Sequence, residues 1–290
     1  MRCTDGHTTC RRIQRIFLWS FILTSLILRR KRNFMEAKKT AKFTTGINTN
    51  AIIAVLVFSG LIATFNETIL NVALYPLMAE FNVTAGTVQW IITAYMIVVA
   101  VLVPVTAFLI QTFKTKQLFL AAMGILLIGT ICGACSGSFV MLLISRIIQA
   151  AGTGMMIPIM MNTVLIVAPK EKRGSVMGLC GAALTLGPAI GPTVAGIVLQ
   201  FYSWHALFII LIAIILIAMI VGSIFLVNVS HVTKPKMDIL SIILSTIGFG
   251  SLIYGISSIS GVADIKTVAA IFITGIICLI FHYLFSSCKF

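Results

Sequence analysis

The chain has 290 residues, 59% of them hydrophobic and 10% charged, with a net charge of +14 and a mean hydropathy of +1.11. Water-soluble domains carry roughly 25% charged residues, and disordered chains need low hydrophobicity, so both classes are excluded. Membrane β-barrels alternate polar and apolar residues, which these unbroken apolar runs do not. The reading left is an all-α polytopic membrane protein.

In chain order, Ile16–Leu28 is an apolar stretch of 13 residues between arginine clusters, too short for a comfortable span. It has the flank of a signal peptide but no small-residue cleavage site. Met35 opens what reads as an ordinary leader, so residues 1–34 are expected to be a non-native upstream extension and 35–50 a cytoplasmic leader. Eight runs are then long enough to span a bilayer: Ile52–Leu74, Val88–Phe113, Leu118–Cys135, Phe139–Val167, Ser175–Phe201, Ala206–Val227, Ile239–Ser258 and Val262–Phe285. The first six form one bundle over 51–228, and the last two form a pair over 237–286. Pro76, Pro169 and Pro235 fall in gaps, where helices are expected to stop; Pro104, Pro158, Pro188 and Pro192 fall inside runs.

The basic residues alternate. Lys38, Lys39 and Lys42 precede the first run, and Lys114, Lys116, Lys170, Lys172, Arg173, Lys234 and Lys236 occupy the even-numbered gaps; on the other side stands Lys266 alone, near the start of the last run. The positive-inside rule then predicts a multi-pass protein of the cell membrane with both termini cytoplasmic. It also reads the charge as membrane topology, with no nucleic-acid partner. Trp90 and Trp204 are expected in an interfacial belt. Cys132 and Cys135 form a CxxC on an apolar run and read as small packing residues, with no metal. The histidines look isolated, and no phosphate-binding loop of the GxxxxGK[ST] kind occurs. Nothing points to an enzyme or a bound cofactor.

Of seven acidic residues, Glu67 lies deep inside a run, and Asp264 stands at the very start of the last one. An ionisable side chain at membrane depth is costly and marks function by default, although a Glu near a helix end also reaches the interface. Arg146 is the only Lys or Arg deep within a run, at a depth comparable to Glu67, since Lys266 stands near the start of the last run. A Glu67–Arg146 pair, direct or through water or Gln149, is one expectation; Arg146 bonded to carbonyls of neighbouring helices is the other. Gln149 lies one turn on, on the same face. Asn66 and Asn71 supply further polar groups. Gly187, Pro188, Gly191 and Pro192 form a Gly-Pro-x-x-Gly-Pro, expected to kink the fifth span and pack it tightly. Met155, Met156, Met160 and Met161 read as lipid-facing or core filler.

Together these residues resemble the major facilitator superfamily, and within it the fourteen-span drug–proton antiporters, over roughly Lys38 to Phe285. Phe65 through Leu74 resembles the first-span motif, with Asn66 where an Asp is usual and Glu67 beside it. Arg146, Gln149 and Gly152 match the fourth-span Arg-x-x-Gln-Gly-x-Gly, with Ala150 replacing a Gly. Gly178 through Gly196 is similar to the fifth-span antiporter motif. The loop after the second span departs from its usual pattern: Gln111 and Thr112 stand where Asp and Arg are usual. The resemblance implies an N-terminal six-helix bundle plus two linking helices, with the C-terminal bundle absent. It implies export of small amphipathic or drug-like compounds, energised by a proton gradient, with Glu67 and Arg146 in proton coupling and the Gly187–Pro192 kink controlling access. Partners would be the lipid bilayer, a small-molecule substrate and the missing half, on a separate chain if anywhere. Export by two halves would make the 290-residue chain a truncated, inactive half. A half-size transporter or assembly subunit that pairs with another chain, and a solute uptake permease, are the alternatives.

Overall fold

The computed structural model describes residues 48–229 and, beyond them, 244, 246–248, 250–251, 254–255, 270–278 and 280–281. The chain divides into two units, Met1–Thr49 and Asn50–Phe290, and the described residues fall almost wholly in the second. The proposed extension and leader, most of the seventh and eighth runs, and Pro235 lie outside them.

The described chain is helical throughout. Helix α1 (Thr49–Thr68) tightens into a 3₁₀ turn (Ile69–Asn71) and is followed by the short α2 (Leu74–Phe81). A single turn, α3 (Ala85–Val88), leads into α4 (Trp90–Thr112). Then come α5 (Thr115–Ala134), α6 (Phe139–Val167), a 3₁₀ turn (Lys170–Lys172), α7 (Arg173–Phe201) and α8 (His205–Phe225). Six of these helical segments are long and apolar enough to cross a membrane. They coincide with the first six runs read from the sequence, and the fourth agrees to the residue.

The helix starts follow local chemistry. Ser138 Oγ accepts a hydrogen bond from Met141 N (3.3 Å) and Thr84 Oγ1 one from Thr87 N (3.3 Å), each satisfying a donor that the first turn leaves orphaned. Asn82 ends α2 in the left-handed conformation, at φ 51°, which Asn tolerates better than most residues. Pro76 stands between the first two spans, in the first turn of the short α2, where its missing N–H costs nothing.

Helix α6 is the centre of the bundle. It packs along α4 on one side and α5 on the other, and α5 also packs on α8. Small residues let these backbones close up: a Cβ on Gly152 would stand 2.7 Å from Ala122 O in α5, and one on Gly154 would stand 3.1 Å from Val99 O in α4. Met155, Met156 and Met160 are buried here, so these methionines fill the core. Met161 is half-exposed.

Alternate gaps meet at one end of the bundle. Phe81, at the end of α2, packs edge-on against Phe139 and Trp204. Trp204 Nε1 donates to Glu80 Oε2 (2.6 Å), and the His205 ring stacks on Trp204 at 3.6 Å with Nε2 3.4 Å from Ser136 O. Two expectations are thereby corrected. Trp204 is 2% exposed, an internal anchor rather than a belt residue, because its indole N–H finds a carboxylate inside the cluster. His205 is not isolated. Trp90 is exposed at its helix start and approaches Tyr254 at 6.0 Å. At the other end, Lys116 N donates to Asn228 Oδ1 (3.2 Å).

Candidate functional site

The site is built where α1 ends. The last four carbonyls of any helix lack intrahelical donors, and the helix dipole makes that end negative. Helix α1 stops at Thr68 inside the bundle, with Asn66 buried in its last turn. Arg146 of α6 supplies the missing donors. Its Nη1 donates to Asn66 O (3.1 Å) and its Nη2 to Glu67 O (3.2 Å). The guanidinium is fully buried, and Nη1 also donates to Gln149 Oε1 (2.9 Å). Gln149 Nε2 passes the chain of bonds to Thr130 Oγ1 (2.9 Å), and Thr130 bonds back to Leu126 O (2.6 Å).

Tyr95 of α4 closes the cluster from the third side. The guanidinium carbon lies 4.1 Å from the centre of its ring, within range of a cation–π contact. The Tyr95 hydroxyl donates to Thr153 Oγ1 (2.7 Å) and accepts from Asn66 Nδ2 (3.3 Å). Helices α1, α4, α5 and α6 are thus tied together by one buried polar network. Asn66 Oδ1 and Arg146 Nε, both buried, keep unused bonding capacity.

Glu67 and Arg146 are neighbours, but through the backbone. The guanidinium bonds the Glu67 carbonyl, and neither a hydrogen bond nor an ion pair joins the two side chains. Glu67 itself is half-exposed. Asn66 enters the network through both its carbonyl and its amide. Asn71 lies exposed in the 3₁₀ turn, outside the cluster.

Gly187 and Gly191 are buried and face the same stretch of α1. A Cβ on Gly187 would collide with Thr64 Oγ1 and stand 2.9 Å from Phe65 N; one on Gly191 would collide with Thr68 Oγ1. Pro188 and Pro192 lie beside them, half-exposed, within a continuous α7. The antiporter-like glycines therefore form the seat on which the end of α1 rests.

The sequence reading missed Tyr95, Thr130 and Thr153. A signal was present: a polar group in an apolar run must find a partner, and the phenol of Tyr95 stands in such a run. Which partner it finds needs the three-dimensional arrangement.

Residues 56–287 match the Major Facilitator Superfamily. The chain belongs to that superfamily. Among the curated relatives of this facilitator chain are two lincomycin resistance proteins named LmrB. That of Bacillus subtilis (strain 168) is 44% identical over 249 residues, 85% of this chain and 52% of the relative. That of Listeria monocytogenes serovar 1/2a (strain ATCC BAA-679 / EGD-e) is 42% identical over 227 residues, 78% of this chain and 48% of the relative. A crystal structure of the peptide transporter POT in complex with sulfate shares the fold. It has a TM-score of 0.61 at 17% identity and covers 80% of this chain and 51% of its own. The chain spans about half the length of the relatives it matches.

Proposed function

We propose that this facilitator chain is the N-terminal half of a proton-coupled exporter of small amphipathic compounds, lincomycin among the candidates. One observation carries the reading. A half-exposed carboxylate, Glu67, stands at the end of α1 beside a fully buried guanidinium bonded to that helix end and not to the carboxylate. Glu67 is therefore free to take up and release a proton, and Arg146 is close enough to sense it. The relatives' names support export over uptake. The stretch from Gly187 to Pro192, which resembles the fifth-span antiporter motif, supports it as well.

Glu67 is the proton-coupling residue and Arg146 its electrostatic partner. Asn66 and Gln149 hold Arg146 in place, with Asn71 as an outlying polar group. Gly187, Pro188, Gly191 and Pro192 govern access by setting how α7 meets α1. The proton gradient is the energy source. In transporters of repeated architecture the substrate lies between halves that rock against each other. Export is therefore expected only where a second half is supplied, in the same protein or as a separate chain. The membrane is the cell membrane, with the lysine-bearing loops cytoplasmic.

The test is Glu67→Gln in the full-length protein, expressed in a host stripped of its own exporters. Lincomycin tolerance should fall to the level of cells without the gene while the protein level holds. Unchanged tolerance would refute proton coupling at Glu67. An assembly subunit would be indifferent to the substitution.

A further inference from the structure

The buried guanidinium has four kinds of contact, and three are fixed by the backbone or by its own helix: the Asn66 and Glu67 carbonyls of α1, and Gln149 on α6. The fourth is a ring face. Tyr95 lies against the flat side of Arg146 at 4.1 Å, and its hydroxyl is held from both sides, by Thr153 of α6 and Asn66 of α1. Tyr95 is 1% exposed, so the ring has no freedom to turn away. Arg146 Nε has no partner, which leaves the guanidinium one donor to offer if it swings. The nearest acidic side chain along α1 is Glu67.

We propose that Tyr95 is a positioning residue: its ring face holds Arg146 flat on the end of α1 and so keeps the guanidinium off the Glu67 carboxylate. Burial on all sides fixes the ring, and the ring aims the guanidinium. Without the ring, Arg146 turns its free donor to Glu67 and pins the carboxylate, and proton exchange there stalls. The functional part of this inference rests on the proposed proton coupling; the geometric part does not.

The geometric part is tested by ¹⁵N spectra of the arginine side chains in the full-length protein in nanodiscs, with Arg146 assigned by its loss in Arg146→Lys. A locked guanidinium gives two separate Nη signals. Tyr95→Phe should keep both. Progressively fluorinated phenylalanines at position 95, which keep the shape and weaken the ring face, should merge them stepwise; Tyr95→Leu should merge them fully. Unchanged signals across the fluorinated series would overturn the inference even if Tyr95→Leu fails to fold. So would merging already in Tyr95→Phe, since that would assign the hold to the hydroxyl. In drug tolerance, Tyr95→Phe should stay within twofold of wild type and the most fluorinated variant should lose at least tenfold. If Glu67→Gln keeps full tolerance, the export reading fails alone, and the spectra still decide the role of Tyr95.

Discussion

Arg146 is the side chain whose burial most needs explaining. A charged residue at the centre of a membrane helix costs about 3 kcal/mol or more. A helix C-terminus returns up to about 2 kcal/mol to a partly buried cation, and a desolvated cation–π contact about 2 kcal/mol. These two neutral partners offset the cost, so no carboxylate is needed and Glu67 is left available. Arg146→Leu should therefore destabilise the bundle by about 1–3 kcal/mol for each carbonyl it strands. Glu67→Gln should leave thermal stability nearly unchanged, because the Glu67 side chain holds nothing together. Thermal unfolding in detergent, read by intrinsic fluorescence, checks both. Equal losses would show that the two side chains do form a pair. Glu67 and Arg146 stood out in the sequence as charges inside apolar runs. That they meet through a carbonyl did not, because only the position at which α1 stops turns Glu67 O into an acceptor.

At the scale of the element, the α1–α7 contact makes a differential prediction. Gly191→Ala puts a methyl group onto Thr68 Oγ1, with Thr68 Cβ and Phe65 O at an ordinary 3.5 Å. Thr68→Ala should then rescue it. Gly187→Ala meets Thr64 Oγ1 and also Phe65 N at 2.9 Å, and backbone does not yield. Thr64→Ala should rescue that variant only in part. Overpacking of this kind costs about 1–3 kcal/mol, and double-mutant cycles on unfolding free energy give the coupling. Equal rescue at both positions would contradict the packing described. The cluster at the other helix ends behaves by the same logic. Glu80→Leu strands the Trp204 indole N–H and should cost about 1–3 kcal/mol, whereas Glu80→Gln keeps an acceptor and should cost less than about 1 kcal/mol. Helix boundaries were legible wherever apolar runs end in polar residues, as at Phe139–Val167. They were less so near residue 70, where α1 tightens without any glycine or proline to announce it. The burial of Trp204 was hidden because a tryptophan at a span start looks the same whether it meets headgroups or a carboxylate.

Among the described residues, six spanning helices threaded alternately bring residues 80–81, 136–139 and 204–205 to one end and residues 116 and 228 to the other. The lysine pattern in the sequence predicts which end faces the cytoplasm. Single cysteines at positions 116 and 202 in a cysteine-free background should label from opposite sides: Lys116→Cys only after the membrane is opened, Tyr202→Cys in intact cells. Labelling of both from one side would break the threading. Architecture and family were readable because span length and charge alternation are whole-chain signals; the tyrosine-centred network was not, since it joins residues up to 80 positions apart.

The most direct test is drug-driven proton movement in proteoliposomes containing the full-length protein. A lincomycin gradient imposed on vesicles with a trapped pH dye should move protons in the opposite direction. In Glu67→Gln the pH signal should vanish. Proton movement that survives Glu67→Gln, or lincomycin transport with no proton movement in the wild type, would contradict the account.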